Sequence, residues 1–125
     1  MNPESFVSGL VDCVHEAAIN DVVAQLRSPS GRMPPQREVE LSQWFGQLSD
    51  ADRRSLEAVI GRSVHAAIFG TLCVIDGARP IGQSSEHEFQ LLSVELDSNT
   101  QLNAASSACL HDVYQRLVHQ RVFGN

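Results

Sequence analysis

The residues best suited to chemistry in this chain are the neighbours His111 and Asp112, together with Asp76 and Arg79 farther upstream. An imidazole beside carboxylates can transfer a proton, and a guanidinium can hold an anion. These four side chains form the candidate catalytic set. Asp76 follows a long apolar run, at the predicted C-terminus of a helix, where the helix dipole disfavours a carboxylate. Arg79 is near enough in sequence to neutralise the Asp76 charge.

The dipeptide His111-Asp112 resembles the metal-binding pair of HD-type phosphohydrolases, which are all-helical enzymes. That family also needs an upstream His, for which His65 is available, and a later acid. No Asp or Glu follows Asp112, so the ligand set is incomplete. The alternative interpretation places both residues on the wet side of the last helix.

Other catalytic and metal patterns are also incomplete. His15-Glu16 begins like H-E-x-x-H, but Ile19 stands where the second His belongs. There is no G-x-S-x-G motif and no Gly-rich phosphate loop. Cys73 lies within an apolar run, where burial would raise its pKa and make it unreactive. We therefore predict no metal site and no cofactor, and favour a protein that is not an enzyme.

Trp44, Arg53 and Arg54 are the candidate binding residues. Trp and Arg are enriched at the energetic centres of protein interfaces. Trp44 and Phe45 also belong to an apolar stripe with helical spacing, so core packing is the favoured interpretation of this aromatic pair.

A central helix must position these residues, and the segment 49–77 has its pattern. Ser49 followed by Asp52 is a variant of the capping box, and Gly77 is a natural helix stop. The run Ala66–Ile75 carries no charge and is apolar on all sides, which predicts burial on all sides. Ten residues are too few to cross a bilayer. The end TLCVI-DG also fits a strand entering a hairpin.

The remaining patterns predict a mainly helical α+β fold in a single domain, residues 1–125. Apolar periodicity predicts three long helices, one short helix and a small two-stranded antiparallel sheet. Asn103 is the expected N-cap of the last helix. The expected segments are helices 3–26, 36–47, 49–77 and 104–118, strands 87–96 and 100–102, and a loop at 28–35.

Two polar residues of the first helix, Asp21 and Gln25, project toward its apolar side. Burying a polar group without a hydrogen bond is costly, so each should meet a partner or lie at a subunit boundary. This placement predicts a possible dimer face on the first helix.

Composition limits the classes of partner. The chain has 125 residues and a formal charge of −6, which argues against nucleic-acid binding. All nine basic residues are Arg, so lysine chemistry is excluded. Three scattered cysteines without a C-x-x-C motif predict reduced thiols. Together with an N-terminus that lacks the pattern of a signal peptide, they predict a cytoplasmic location and no membrane contact.

The segments AAIFGTLCVIDG and LNAASSACLHDVY resemble small uncharacterised bacterial proteins in which a helix ending F-G-x-L-C-V-x-D-G precedes a strand pair and an L-H-D segment. The resemblance covers about residues 50–114. It implies a common fold and no known activity, and it implies that Asp76, Arg79, His111 and Asp112 lie close together. The matching residues are Phe69, Gly70, Leu72, Cys73, Val74, Asp76, Gly77, Leu102, Asn103, Leu110, His111 and Asp112.

Three hypotheses of function follow. The first is a protein–protein interaction or regulatory module, such as an immunity or antitoxin-like protein, whose acidic surface could meet a basic partner. The second is a small enzyme that uses Asp76, Arg79, His111 and Asp112. The third is a self-assembling structural protein that forms a homodimer through the first helix.

Overall fold

A computed structural model describes residues 1–83 and 87–121. Within these residues the chain is mainly helical and has one small antiparallel sheet, which confirms the predicted α+β class. The elements are α1 (Pro3–Leu10), a π-helical segment (Val11–Glu16), α2 (Ala17–Arg27), α3 (Gln36–Gln47), α4 (Asp50–Ile75), β1 (Leu92–Val94), β2 (Asn99–Gln101) and α5 (Leu110–Arg121).

The chain divides into two compact units. The first contains residues 1–14 and 66–125, and the second contains residues 15–65. One boundary falls in the π-helical segment and the other falls within α4. The prediction of a single domain stays a prediction.

The first unit has a hydrophobic core in which α1 packs against α5. Tyr114 is its largest fully buried side chain, and burial raises the pKa of this phenol to about 12. The phenol therefore stays protonated at neutral pH. The buried core residues are Val7, Val11, Leu72, Leu102, Leu110, Val113, Tyr114, Leu117 and Val118.

The sheet is shorter than the sequence predicts. β1 pairs antiparallel with β2, with Leu92 opposite Gln101 and Val94 opposite Asn99. Leu92, Val94 and Leu96 are exposed. Leu91 packs against the core instead.

The last helix begins six residues later than predicted, at Leu110 rather than Ala104. Backbone N–H groups of Asp112 and Val113 both donate to the carbonyl of Cys109, at 3.1 Å each. Cys109 is therefore the residue that precedes the first turn. Asn103 is not a helix cap, because its side chain bonds elsewhere.

In the second unit, α2 packs against α3, and Phe45 is buried. The predicted short helix 36–47 is confirmed. Gln25 meets a partner within the chain, because its side-chain amide donates to the Ser30 hydroxyl and its carbonyl accepts the Ser30 N–H at 2.9 Å. Asp21 is exposed. The side chain of Gln25 therefore bonds to Ser30 in the loop that follows α2.

Helix α4 continues to Ile75, so the hairpin alternative for its end is wrong. Gly77 has a φ of 78°, its N–H donates to the Val74 carbonyl at 3.1 Å, and the Ala78 N–H donates to the Cys73 carbonyl at 2.8 Å. This pair of bonds is a Schellman cap, which Gly adopts without steric cost.

The prediction that Ala66–Ile75 is buried on all sides is also wrong. Only Gly70, Leu72 and Cys73 are buried there, while Ala66, Ala67 and Thr71 are exposed. The uncharged run is therefore buried on one part of its surface and exposed on another.

Among the described residues, α4 alone is long and apolar enough to cross a membrane by length and composition. Its 18 most apolar consecutive residues have a mean hydropathy of 1.7, and 17% of them are buried.

Candidate functional site

The polar cluster at the exit of α4 is built around Asp76. Its Oδ2 accepts the backbone N–H of His111 at 2.8 Å and lies 2.7 Å from the Nδ1 of the same residue. The Asp76 side chain is 3% exposed. A carboxylate that is unfavourable at the end of its own helix is favourable at the positive N-terminus of another. Asp76 therefore caps α5 from a distant part of the chain.

His111 is held from three directions. Because an ionised carboxylate only accepts hydrogen bonds, Nδ1 is the donor in the contact with Asp76. The Nε2 atom lies 3.5 Å from the Asp112 Oδ1. The ring meets Phe69 edge to face, with centroids 5.7 Å apart. The imidazole therefore has a defined orientation.

Arg79 does not form an ion pair with Asp76 among the described residues, so the prediction that it neutralises this carboxylate is wrong. Its guanidinium lies against Gly70 instead, where a Cβ would be 2.7 Å from Nη1. A side chain at position 70 would displace the flexible end of Arg79 from α4. Of the four predicted catalytic residues, the structure brings Asp76, His111 and Asp112 into contact.

Cys109 is a member of the site that the sequence interpretation missed. Its sulfur, a ring nitrogen of His111 and a carboxylate oxygen of Asp76 all lie within 4.8 Å of one another. Partial burial raises the pKa of the Cys109 thiol, and the charges of Asp76 and Asp112 add to that effect. The spacing Cys-x-His was visible in the sequence, but nothing there placed Asp76 beside it.

Asn103 holds the chain that surrounds this site. Its amide group donates to the carbonyls of Ile75 at 2.9 Å and Phe89 at 2.7 Å, and its Oδ1 accepts the Leu91 N–H at 2.8 Å. One side chain thus joins the last residue of α4 to the segment that leads into β1.

The predicted binding residues serve different purposes. Trp44 is 46% exposed while Phe45 is 2% exposed, so core packing is correct for Phe45 alone. Arg53 donates to the carbonyls of Phe45 at 3.2 Å and Gly46 at 2.8 Å, which makes it a cap of α3. Arg54 is exposed. Trp44 and Arg54 are thus accessible, and Arg53 has a structural role.

An apolar groove lies between α1 and the second half of α4, wholly within the first unit. Its volume is about 340 Å³. We call it the α1–α4 groove; its lining residues are Phe6, Leu10, Val14, Ala67, Ile68, Thr71, Leu72, Ile75 and Leu91.

Comparison with protein-family models, with characterised proteins and with solved structures gives no match.

Proposed function

We propose that this protein is a protein–protein interaction module that binds an apolar helix of its partner in the α1–α4 groove. The observation that carries the proposal is that only 17% of the 18 most apolar consecutive residues of α4, whose mean hydropathy is 1.7, are buried. Exposing that much apolar surface to water is unfavourable, and a contiguous apolar patch marks a binding surface.

The shape of the surface favours a helical occupant. Two helices form its walls, and one side of each contributes apolar side chains, including Leu10, Ala67 and Ile75. An amphipathic helix that lays its apolar side into such a groove is a common mode of recognition. The partner is either a second copy of this chain or another protein, and an immunity, antitoxin-like or regulatory role fits either case.

A photocrosslinking residue in place of Ala67, which is exposed and lines the groove, tests the proposal. The matched control places it at Gln120, exposed on α5. We expect one defined polypeptide to crosslink at position 67 and not at position 120. The added substitution Leu10→Glu should abolish that product, provided that circular dichroism shows an intact fold.

Mass determines which polypeptide it is. A particle of twice 13.7 kDa in light scattering assigns self-association, and a monomer that crosslinks to a different protein assigns a separate partner. The proposal is wrong if position 67 gives no specific product. It is also wrong if the chain floats with lipid vesicles and the flotation is lost in Ala67→Glu, because the apolar face then binds lipid.

A further inference from the structure

Three different metal-ligating groups meet at the N-terminus of α5. Asp76 offers an oxygen, Cys109 a sulfur and His111 a nitrogen, all within 4.8 Å of one another. In the part of the chain that the structure describes, no other group of three His, Cys, Asp or Glu residues is close enough together to hold a metal ion. The ligands come from two segments separated by more than thirty residues. No short sequence motif therefore contains all three of them.

The group is preorganised by contacts that the fold already makes. Asp76 is 3% exposed and is bonded to the His111 backbone, and the imidazole is fixed by Phe69. Both hydrogen bonds to Asp76 use Oδ2, so within the described residues its Oδ1 receives none. Cys109 is exposed and leaves one side of the group open to solvent. A bound ion would thus have fixed ligands behind it and an open position in front.

The charges around the sulfur favour a cation. The Asp76 carboxylate oxygen and the Cys109 sulfur lie within 4.8 Å of each other. A divalent ion between them would attract the carboxylate and a thiolate together.

We propose that Asp76, Cys109 and His111 form a binding site for a zinc-class divalent ion, with water in the remaining position. Zinc accepts sulfur, nitrogen and oxygen ligands, and three protein ligands plus water form an open tetrahedral site. Calcium and magnesium prefer oxygen ligands alone. The mixed set therefore selects a transition metal.

Binding moves two protons. The S–H bond of Cys109 breaks as the sulfur–metal bond forms, and that proton goes to solvent. Nδ1 loses the proton that it donates to Asp76, either to Nε2 or to solvent, which frees its lone pair for the ion and leaves a neutral imidazole with its one proton on Nε2. Asp112 Oδ1, 3.5 Å from Nε2, accepts that N–H as a hydrogen bond. Such an outer carboxylate orients the ligating imidazole.

Cobalt(II) titration of the purified chain is the direct test, because a cobalt–thiolate bond gives an intense charge-transfer absorption. We expect one equivalent to produce this band and zinc to displace it. Cys109→Ser should abolish the band and weaken zinc binding at least about tenfold, and Asp112→Asn should weaken it about tenfold. Cys13→Ser is the matched control, because Cys13 is also an exposed free cysteine.

Alkylation gives a second readout in the unmodified protein. Zinc should slow the reaction of Cys109 with iodoacetamide and leave that of Cys13 unchanged, as followed by peptide mass spectrometry. The inference is overturned if no charge-transfer band forms, if the band persists in Cys109→Ser, or if zinc protects both cysteines equally. Circular dichroism of Cys109→Ser verifies that the loss is not unfolding.

Discussion

Helix α4 contributes a side chain to the end of a neighbouring helix near each of its own ends, and the two contacts use opposite charges. In the second unit, Arg53 from its first turn donates to carbonyls at the C-terminus of α3. In the first unit, Asp76, just beyond its last turn, accepts an N–H at the N-terminus of α5. Each charge is opposite in sign to the partial charge of the helix end that it contacts.

The two contacts differ in their exposure to water. The side chain of Arg53 is 35% exposed, and that of Asp76 is 3% exposed. Water and salt weaken an exposed charge contact, while a buried charge that loses its partner cannot be solvated. The Asp76 contact should therefore stabilise the first unit more strongly than the Arg53 contact stabilises the second.

Replacing Asp76 should have the largest effect on stability. We expect Asp76→Ala to lower the free energy of unfolding by about 3 kcal/mol, because the His111 N–H and ring lose a charged acceptor. Asp76→Asn should cost less, since an amide oxygen still accepts. Urea unfolding measures both. Asp112→Asn, which changes an exposed carboxylate in the first turn of α5, should change the free energy of unfolding by less than about 0.5 kcal/mol. Equal losses in Asp76→Asn and Asp112→Asn would show that the buried charge is unimportant.

Asn103 comes next, because it satisfies three backbone groups around the same site. We expect Asn103→Ala to cost about 2 kcal/mol in urea unfolding. Asn103→Asp should cost at least as much, because a carboxylate would face the carbonyls of Ile75 and Phe89. The exposed Asn99→Ala serves as control. A stable Asn103→Asp would contradict the assigned amide orientation.

The sequence predicts the helices well because their signals are local. The short helix 36–47 and the stop at Gly77 follow from apolar spacing and from the left-handed conformation that Gly adopts. The error at the start of α5 has a physical reason. Asn103 has the residue type of an N-cap, but its amide is used in long-range bonds, so tertiary contacts override a local preference.

The candidate site was only partly predictable. Its contacts join residues 35 positions apart, and periodicity carries no information about which segments meet. Asp76 is conspicuous because a carboxylate is unfavourable at the end of its own helix, but that mismatch does not show which group it contacts. The partner was misassigned to Arg79, the nearest opposite charge in sequence, because a helix N-terminus is not visible as a charged residue.

Replacing Arg53 should cost less than replacing Asp76, about 1 kcal/mol, because its contacts are partly solvated. The measurement is urea unfolding of Arg53→Ala at low and high salt, and the loss should shrink at high salt. Arg54→Ala is the matched control, since it removes the neighbouring exposed charge. A loss in Arg53→Ala as large as that in Asp76→Ala would remove the distinction between the two contacts.

His15 adds a pH dependence to the second unit and sharpens the comparison further. It is 1% exposed, and burial lowers the pKa of its imidazole, with a further lowering from His65 and a smaller opposing effect of Glu16. The unfolded chain therefore binds a proton more readily than the folded chain. Stability from this group is present above the unfolded pKa of about 6.5 and is lost as the pH falls below it.

Urea unfolding from pH 7.5 to 5.5 checks this sign in wild type and His15→Gln. Wild type should lose more stability on acidification than His15→Gln does, while His87→Gln, which changes an exposed His, should follow wild type. If His15→Gln retains the full acid sensitivity, the loss arises from other groups. If the difference appears, acid weakens the second unit through a buried imidazole that must charge.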